Sequence, residues 1–309
     1  MRRRPIEPAD VPAVESFLAE LGERLGGEAV GERKWIELDH RPTGVLAEDD
    51  DGLVGVAPVV GSGGPCTFEV ATEDPAVAAA LVDDVLAAHE DCVVRAWSLR
   101  GRHREVFEAA GFTLDRVLHC LRRPLPAEAW PPEGDLTFRG FEPGDVDAWV
   151  AVNNRAFAGH PEQGDLTAED FWERTELPWW DPAGLRLGLV DDEVVGFCWT
   201  KVHPGGLGEI YVIGVVPEAA GRGWGTALVA EGLRHLHEGR GCQEAQLYVD
   251  GANPAGLALY EKLGFEEEHT DLAFVVDQPN RRLQPGQRSS SSDVAARHHG
   301  QGRSSVGSS

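Results

Sequence analysis

Two stretches of the 309-residue chain repeat the same order of features. Glu7-Pro8-Ala9-Asp10 opens the first stretch, and Glu142-Pro143-Gly144-Asp145 opens the second. The segments that follow, Val11–Leu21 and Val146–Phe157, have the apolar spacing of a helix, and the aspartate before each can cap its first turn. A repeat with so long a period predicts two tandem domains of one fold.

The repeat continues through a strand pair and a closing phrase. Each strand pair meets at an acidic turn, which is typical of a hairpin. The predicted strands are Gly44–Ala47 with Leu53–Val60, and Leu185–Val190 with Val194–Val202. The closing phrases, Phe107–Phe112 and Tyr260–Phe265, each place a glycine before the last phenylalanine, which predicts a left-handed helix end before a final strand.

These features predict an α/β fold with a mixed sheet, divided into an N-terminal domain at 1–125 and a C-terminal domain at 137–277. A segment rich in Pro and Glu, residues 126–136, is the predicted linker. Residues 278–309 are mainly Arg, Ser, Gly and Gln, so they offer too little apolar surface to fold and are predicted to be a disordered tail.

Charge and cysteine usage narrow the range of partners. The net charge of −24 argues against nucleic acid and anionic membranes, because both would repel the surface. No apolar run reaches the ~20 residues of a membrane span, and no signal-type segment follows the N-terminal arginines. The five cysteines lack CxxC spacing. We therefore expect a cytoplasmic protein with no metal site. A monomer is expected as well, although the sequence does not fix the oligomeric state.

A glycine-rich turn stands between a predicted strand and a predicted helix in the second domain. The β-rich run Glu209–Val216 ends at Pro217, and Ala220–Thr226 supplies the turn. Glycines let backbone N–H groups converge on one point, and a helix N-terminus adds partial positive charge, so this arrangement can bind phosphate. Such a turn taken alone also fits an ordinary tight connection.

The downstream sequence makes the arrangement more specific. A predicted strand at Gln246–Val249 leads to the turn Asp250–Ala255 and to a short helix that carries Tyr260. Together these features resemble the GNAT superfamily of N-acetyltransferases, whose pyrophosphate loop has glycines where this chain has Gly223 and Gly225. Ala220 stands where that loop usually has a polar residue, so one side-chain contact is missing but no backbone donor.

The superfamily resemblance implies acetyl-CoA as the co-substrate. Backbone N–H groups near Ile213, Gly214 and Val215 would hold the thioester carbonyl and the pantetheine. The residues implied to bind acetyl-CoA are Ile213, Gly214, Val215, Ala220, Gly221, Arg222, Gly223, Trp224, Gly225, Thr226, Asn253, Pro254, Ala255, Gly256, Leu257 and Ala258.

Four further phrases resemble the mycothiol synthase family, which consists of tandem GNAT domains. They are Val152–Gly164, Gly196–Pro204, Leu207–Val212 and Leu247–Val249. The resemblance is dense over residues 150–275 and thin over 1–125. It implies a small-molecule substrate, the cysteinyl amine of a cysteine–glucosamine–inositol conjugate, which receives the acetyl group.

The same resemblance implies roles for individual residues. A cysteinyl amine has a pKa near ~8, so a modest base such as Glu209 suffices to remove its proton. Tyr260 would be the acid for the leaving thiolate. Glu32, Glu162, Lys201, Glu209 and Tyr248 would line the amine site.

Structural roles compete with the functional ones at each position. Each of the carboxylates could be a solvated or salt-bridged surface residue, and Tyr260 could simply be packed on its helix. His160 and His203 are expected to be structural, and Trp179-Trp180 are expected to serve apolar packing.

The first domain lacks a comparable loop. After Phe68-Glu69-Val70 comes the acidic segment Ala71–Pro75, which has no paired glycines and would repel CoA phosphates. We expect this domain to be catalytically silent and to bind no second acetyl-CoA. Two other functions fit the motifs: a tandem acetyltransferase for another amine, and a non-catalytic acyl-CoA sensor.

Overall fold

The computed structural model describes residues 1–61, 64–127, 136–158, 164–219 and 221–278. Glu162, His160 and Ala220, most of the predicted linker and nearly all of the predicted tail lie outside the described residues.

The N-terminal half alternates strands and helices. Its elements are β1 (Arg2–Pro5), α1 (Val11–Leu25), α2 (Glu32–His40), β2 (Gly44–Asp49), β3 (Gly52–Val60), β4 (Cys66–Glu69), α3 (Pro75–Ala88), β5 (Val93–Ser98), α4 (Arg104–Ala109) and β6 (Thr113–Pro124).

The C-terminal half follows the same order with small changes. Its elements are β7 (Thr137–Gly140), α5 (Val146–Ala156), α6 (Ala168–Thr175), β8 (Leu185–Val190), β9 (Glu193–Val202), β10 (Gly208–Val215), α7 (Trp224–Arg234), β11 (Glu244–Asp250), α8 (Pro254–Lys262) and β12 (Glu266–Asp277). A π-helical turn, His235–Gly239, extends α7.

The hairpins and the glycine helix ends predicted from the repeat are confirmed. Strands β2 and β3 pair antiparallel, as do β8 and β9. Gly111 and Gly264 have φ angles of 86° and 75°, a region that favours glycine because it has no Cβ. Each therefore ends its helix and turns the chain into the final strand of its half.

The predicted aspartate caps are wrong in detail. Asp10 makes no side-chain cap to α1; its carboxylate accepts hydrogen bonds from the Glu7 backbone N–H at 2.9 Å and from the Arg4 guanidinium. Asp145 repeats this arrangement with Glu142 and Arg139. The carboxylate turns back toward the preceding strand because an arginine there binds both of its oxygens.

One twelve-stranded sheet runs through both halves, in the order β1-β2-β3-β4-β5-β12-β6-β11-β10-β9-β8-β7. Strand β6 pairs with β11 of the C-terminal half, and β12 pairs with β5 of the N-terminal half. The two exchanged strands also pair with each other. Each half is therefore completed by the last strand of the other, and the boundaries at 125 and 137 remain predictions about sequence segments.

Buried apolar clusters cover both faces of the sheet. In the C-terminal half, one cluster packs α5 and α6 on the sheet through Trp149, Phe171 and Trp199. Another packs α7 and α8 on the opposite face through Leu228, Leu233 and Tyr260. The N-terminal half has its own cluster under α3 and α4. Within the described residues, no helix is both long and apolar enough to cross a membrane.

Candidate active site

The parallel strands β10 and β11 separate at the centre of the C-terminal half. They pair only from Gly208 to Ile210 on β10, opposite Ala245 to Leu247 on β11. Beyond that point β10 continues along β9, whereas β11 continues along β6. The two strands are therefore unpaired with each other beyond Ile210 and Leu247, which leaves a gap between them.

A bulge in β10 sets which side chains face this gap. The pairing register with β9 shifts between Ile210 and Val212, so Tyr211 is the extra residue. Tyr211 and Val212 then pack with the α5 and α6 cluster, Ile213 packs with the α7 and α8 cluster, and Val215 contacts both. The bulge thus interrupts the regular ladder between β10 and β9 beside the gap.

The N-terminus of α7 is open. Gly221 and Gly223 have φ angles of 78° and 74°, and no described side chain caps the helix. The first N–H groups of a helix have no partner within it, so they remain available to an anion. A Cβ on Gly225 would lie 3.4 Å from Leu259 of α8 and 4.0 Å from Val215, so this helix end adjoins both β10 and α8.

Asn253 begins α8 rather than standing free. Its side chain accepts a hydrogen bond from the Gly256 N–H at 2.9 Å and thereby caps the helix. Pro254 at the first position has no N–H to satisfy. The residues predicted to bind acetyl-CoA at 253–258 thus form the first turn of α8, beside the gap.

Glu209 lies on the face of β10 opposite α7. Its side chain is buried, and one carboxylate oxygen is held by two neighbours. His203 Nε2 lies 2.6 Å from Glu209 Oε2, and Gln246 Nε2 donates to the same oxygen at 3.0 Å. Glu209 Oε1 makes no hydrogen bond within the described residues, so it is the oxygen available to a ligand.

Lys201 of β9 forms an ion pair across the cleft with Glu32, the first residue of α2. Lys201 Nζ lies 2.7 Å from Glu32 Oε1, and the Lys201 side chain is 7% exposed. A buried ion pair in the N-terminal half fixes the start of α2: Glu69 accepts the Gly31 N–H at 2.6 Å and lies 3.1 Å from Lys34. The N-terminal half therefore places a carboxylate beside Glu209.

Glu32, Lys201, Glu209 and Tyr248 all line one cleft of about 1390 Å³ between the two halves. The lining also includes His269 and Asp271 of the exchanged strand β12. Burial lowers the pKa of His269 to about 4 and raises the pKa of Asp271. His269 is therefore neutral near pH 7, and the cleft offers donors and acceptors of both kinds to a polar ligand.

Tyr260 does not line this cleft. It is buried among the α7 and α8 residues, and its ring meets Phe265 edge-on with 5.9 Å between centroids. Burial, assisted by the nearby Cys198 thiol, raises the pKa of its hydroxyl. Tyr260 therefore packs with α7 and α8 on one face of the sheet, whereas Glu209 lines the cleft on the other.

The sequence assigns no functional role to three residues of the site. His203, expected to be structural, touches Glu209 directly. Trp179 packs against the aromatic cluster as expected, and it also donates to Glu32 and faces Lys201. Gln246 was placed on a strand but given no role. The available signal is position: His203 stands in the phrase Gly196–Pro204, and Gln246 directly precedes the phrase Leu247–Val249.

This fold and site define an acetyltransferase of the GNAT class, and comparisons with known proteins agree. Residues 149–265 match the model of the Acetyltransferase (GNAT) family. A GCN5-related N-acetyltransferase from Sphaerobacter thermophilus superposes with a TM-score of 0.70 at 24% identity, over 90% of this chain and 95% of that one. A tandem GNAT protein from the clavulanic acid biosynthesis pathway superposes at 0.66, with 14% identity over 90% and 98% of the chains.

The mycothiol acetyltransferase of Streptomyces avermitilis is 42% identical over 290 residues, which cover 88% of this chain and 93% of that protein. The chain belongs to the mycothiol acetyltransferase family. The fold class predicted from the repeat and the superfamily resemblance together, a mixed α/β fold of tandem GNAT type, is confirmed.

Proposed function

We propose that this protein transfers an acetyl group from acetyl-CoA to the cysteinyl amine of a cysteine–glucosamine–inositol conjugate, completing mycothiol. The observation that carries the proposal is the placement of Glu209, a buried carboxylate with one tethered oxygen, at the mouth of the β10–β11 gap. Family membership supports the choice of substrate.

Glu209 is the base in this proposal. His203 and Gln246 hold Oε2, which leaves Oε1 facing the cleft to accept the proton that the substrate ammonium releases, directly or through water. Because the amine has a pKa near ~8, the carboxylate needs only to receive a proton that is already weakly held. The lone pair on the substrate nitrogen would then face the gap between β10 and β11.

The chain has the features that acetyl-CoA requires. The open N-terminus of α7 presents N–H groups from Gly223 onward, which fit a pyrophosphate. The unpaired edge of β10 at Ile213–Val215 offers backbone groups to the pantetheine amides. When bound, acetyl-CoA supplies an activated thioester. The acetyl-CoA contacts at 213–215, 221–226 and 253–258 remain predictions.

Tyr260 is the proposed acid. Its raised pKa keeps the hydroxyl protonated near neutral pH, and it packs with α7 and α8, the two helices proposed to contact acetyl-CoA. It can therefore donate a proton from the face opposite Glu209. Glu32, Lys201 and Tyr248 are proposed to bind the amine substrate from the cleft. Glu162 belongs to the same prediction but lies outside the described residues. Action as a monomer in the cytoplasm completes the proposal.

Product analysis tests the function. The protein is incubated with acetyl-CoA and a panel of amines: the cysteinyl conjugate, the same conjugate without cysteine, a polyamine and an aminoglycoside. We expect mass spectrometry to find one acetyl group on the cysteinyl nitrogen and slower or no reaction elsewhere. Turnover of another amine without acetylation of the conjugate would contradict the proposal.

A further inference from the structure

One tryptophan contacts both members of the ion pair that crosses the cleft. The Trp179 Nε1–H donates to Glu32 Oε1 at 2.9 Å. The Lys201 ammonium lies 5.1 Å from the centroid of the same ring. The ring edge thus meets the anion and the ring face meets the cation.

Each of these two contacts stabilises one member of the ion pair. Lys201 is almost fully desolvated, which is unfavourable for an ammonium unless opposite charge and polarizable surface surround it. Glu32 is 35% exposed and comes from the other half of the protein, so a single partner would leave its carboxylate free to turn. The second hydrogen bond, from Trp179, restricts that freedom.

Trp179 is itself held on the C-terminal half. Its ring packs against Tyr211, the bulge residue of β10, with 4.8 Å between centroids, and against Trp199 of β9 at 6.2 Å. Trp179 therefore connects Glu32 to β10, the strand that carries Glu209.

We propose that Trp179 is a positioning residue for the acceptor amine: it fixes Glu32 and Lys201 in the arrangement that orients the substrate beside Glu209. The inference rests on the proposed function in treating Glu32 and Lys201 as ligands of that substrate. Trp179 acts through these two side chains and not on the reacting atoms.

The adjacent tryptophan provides a matched control. Trp180 packs against Trp199, Phe141 and Phe171 in the buried aromatic cluster. Within the described residues, no ring, cation–π or hydrogen-bond contact joins it to the ion pair. Substitution of Trp180 therefore measures the effect of loosening the aromatic core alone.

The experiment compares Trp179→Phe, Trp179→Leu and Trp180→Phe in steady-state kinetics with the cysteinyl conjugate and acetyl-CoA. Trp179→Phe loses only the hydrogen bond, so the KM for the amine should rise roughly 5-fold. Trp179→Leu also loses the aromatic face, and the rise should reach roughly 20-fold or more. The KM for acetyl-CoA should stay within about 2-fold in both. Trp180→Phe should lower the melting temperature without raising the amine KM relative to the acetyl-CoA KM.

Three results would overturn the inference: an unchanged amine KM in Trp179→Leu, a parallel rise in the acetyl-CoA KM, or the same amine effect in Trp180→Phe. If the wild-type protein does not acetylate the conjugate, the proposed function fails instead. The same variants are then compared on the amine that is acetylated, and the split between the two KM values decides the role of Trp179 separately.

Discussion

The two halves use the same strand–helix–strand unit, yet only one of them opens it. In the N-terminal half β4 and β5 are parallel and α3 connects them; in the C-terminal half β10, α7 and β11 do the same. Strand β4 keeps one register along β3 as far as the Val56–Ala71 bridge, whereas β10 has the Tyr211 bulge. A bulge of this kind lets a strand leave its neighbour.

The N-termini of the two connecting helices, α3 and α7, also differ. The α3 N-terminus is closed, because the Asp74 carboxylate accepts the Ala76 N–H and Pro75 has no N–H. The α7 N-terminus is open and begins at Gly223 in a left-handed conformation. A cap that stabilises a helix also occupies the donors and places a negative charge where a pyrophosphate would bind. A bulge in the strand and an uncapped helix N-terminus therefore distinguish the unit that can bind a ligand from the unit that is only structural.

The largest effect should come from Glu209→Gln. The amide keeps the shape but cannot take a proton, so kcat should fall by about 10²–10³-fold while the KM for acetyl-CoA is unchanged. Glu108→Gln, an exposed residue of α4 in the N-terminal half, is the control and should be silent. Equal losses in kcat and acetyl-CoA binding would point to a structural role for Glu209.

Next in size is Gly223→Ala, compared with Asp74→Ala. Gly223 has a φ of 74°, so a side chain there strains the open helix end, and acetyl-CoA affinity should fall at least about 10-fold. Asp74→Ala should leave that affinity unchanged and cost about 1 kcal/mol of unfolding free energy, because only a cap is lost.

Calorimetry of the wild type should give one acetyl-CoA per chain; two would refute the contrast between the halves.

Tyr260→Phe should have a smaller effect, a fall in kcat of about 10-fold with the packing retained. Burial raises the pKa of this hydroxyl above its ordinary value near ~10. The wild-type pH profile should therefore show no alkaline loss from Tyr260 below pH ~10. An alkaline limb below that pH that disappears in Tyr260→Phe would contradict the assignment.

The smallest predicted effects concern the stability contributed by Asp10 and Asp145, and they should be equal in the two halves. The hydrogen-bonded Arg4 guanidinium lowers the pKa of Asp10 to about 2, and Arg139 lowers that of Asp145. A depressed carboxyl pKa stabilises the fold above the unfolded value near ~3.9, and this is lost as pH falls toward the folded value. Asp10→Asn and Asp145→Asn should each lower the melting temperature by roughly 1–3 °C at pH 7. For Asp10→Asn the difference from wild type should vanish as the pH falls below about 2, and for Asp145→Asn it should shrink as the pH falls below the unfolded value. A large inequality between the two at pH 7 would argue against an equivalent structural repeat.

Much of the fold could be predicted because its signals are local. Hairpin turns, positive-φ glycines and apolar spacing act over a few residues, and the strand pairs β2–β3 and β8–β9 followed from them. The cap at Asp10 was wrong because a competing partner, Arg4, comes from another element. The exchange of β6 and β12 carries no local signal, since either strand could equally have completed its own half.

The sequence alone determined the repeated architecture, the glycine-rich helix start and the identity of Glu209, Lys201 and Glu32 as candidates. Only the tertiary structure decided that these three side chains meet in one cleft, that His203 and Gln246 hold Glu209, and that Trp179 serves the ion pair. The physical reason is the separation in sequence over which each kind of interaction acts. Backbone preferences act between neighbours in sequence, whereas a hydrogen bond between Trp179 and Glu32 depends on how the two halves of the chain are brought together in one sheet.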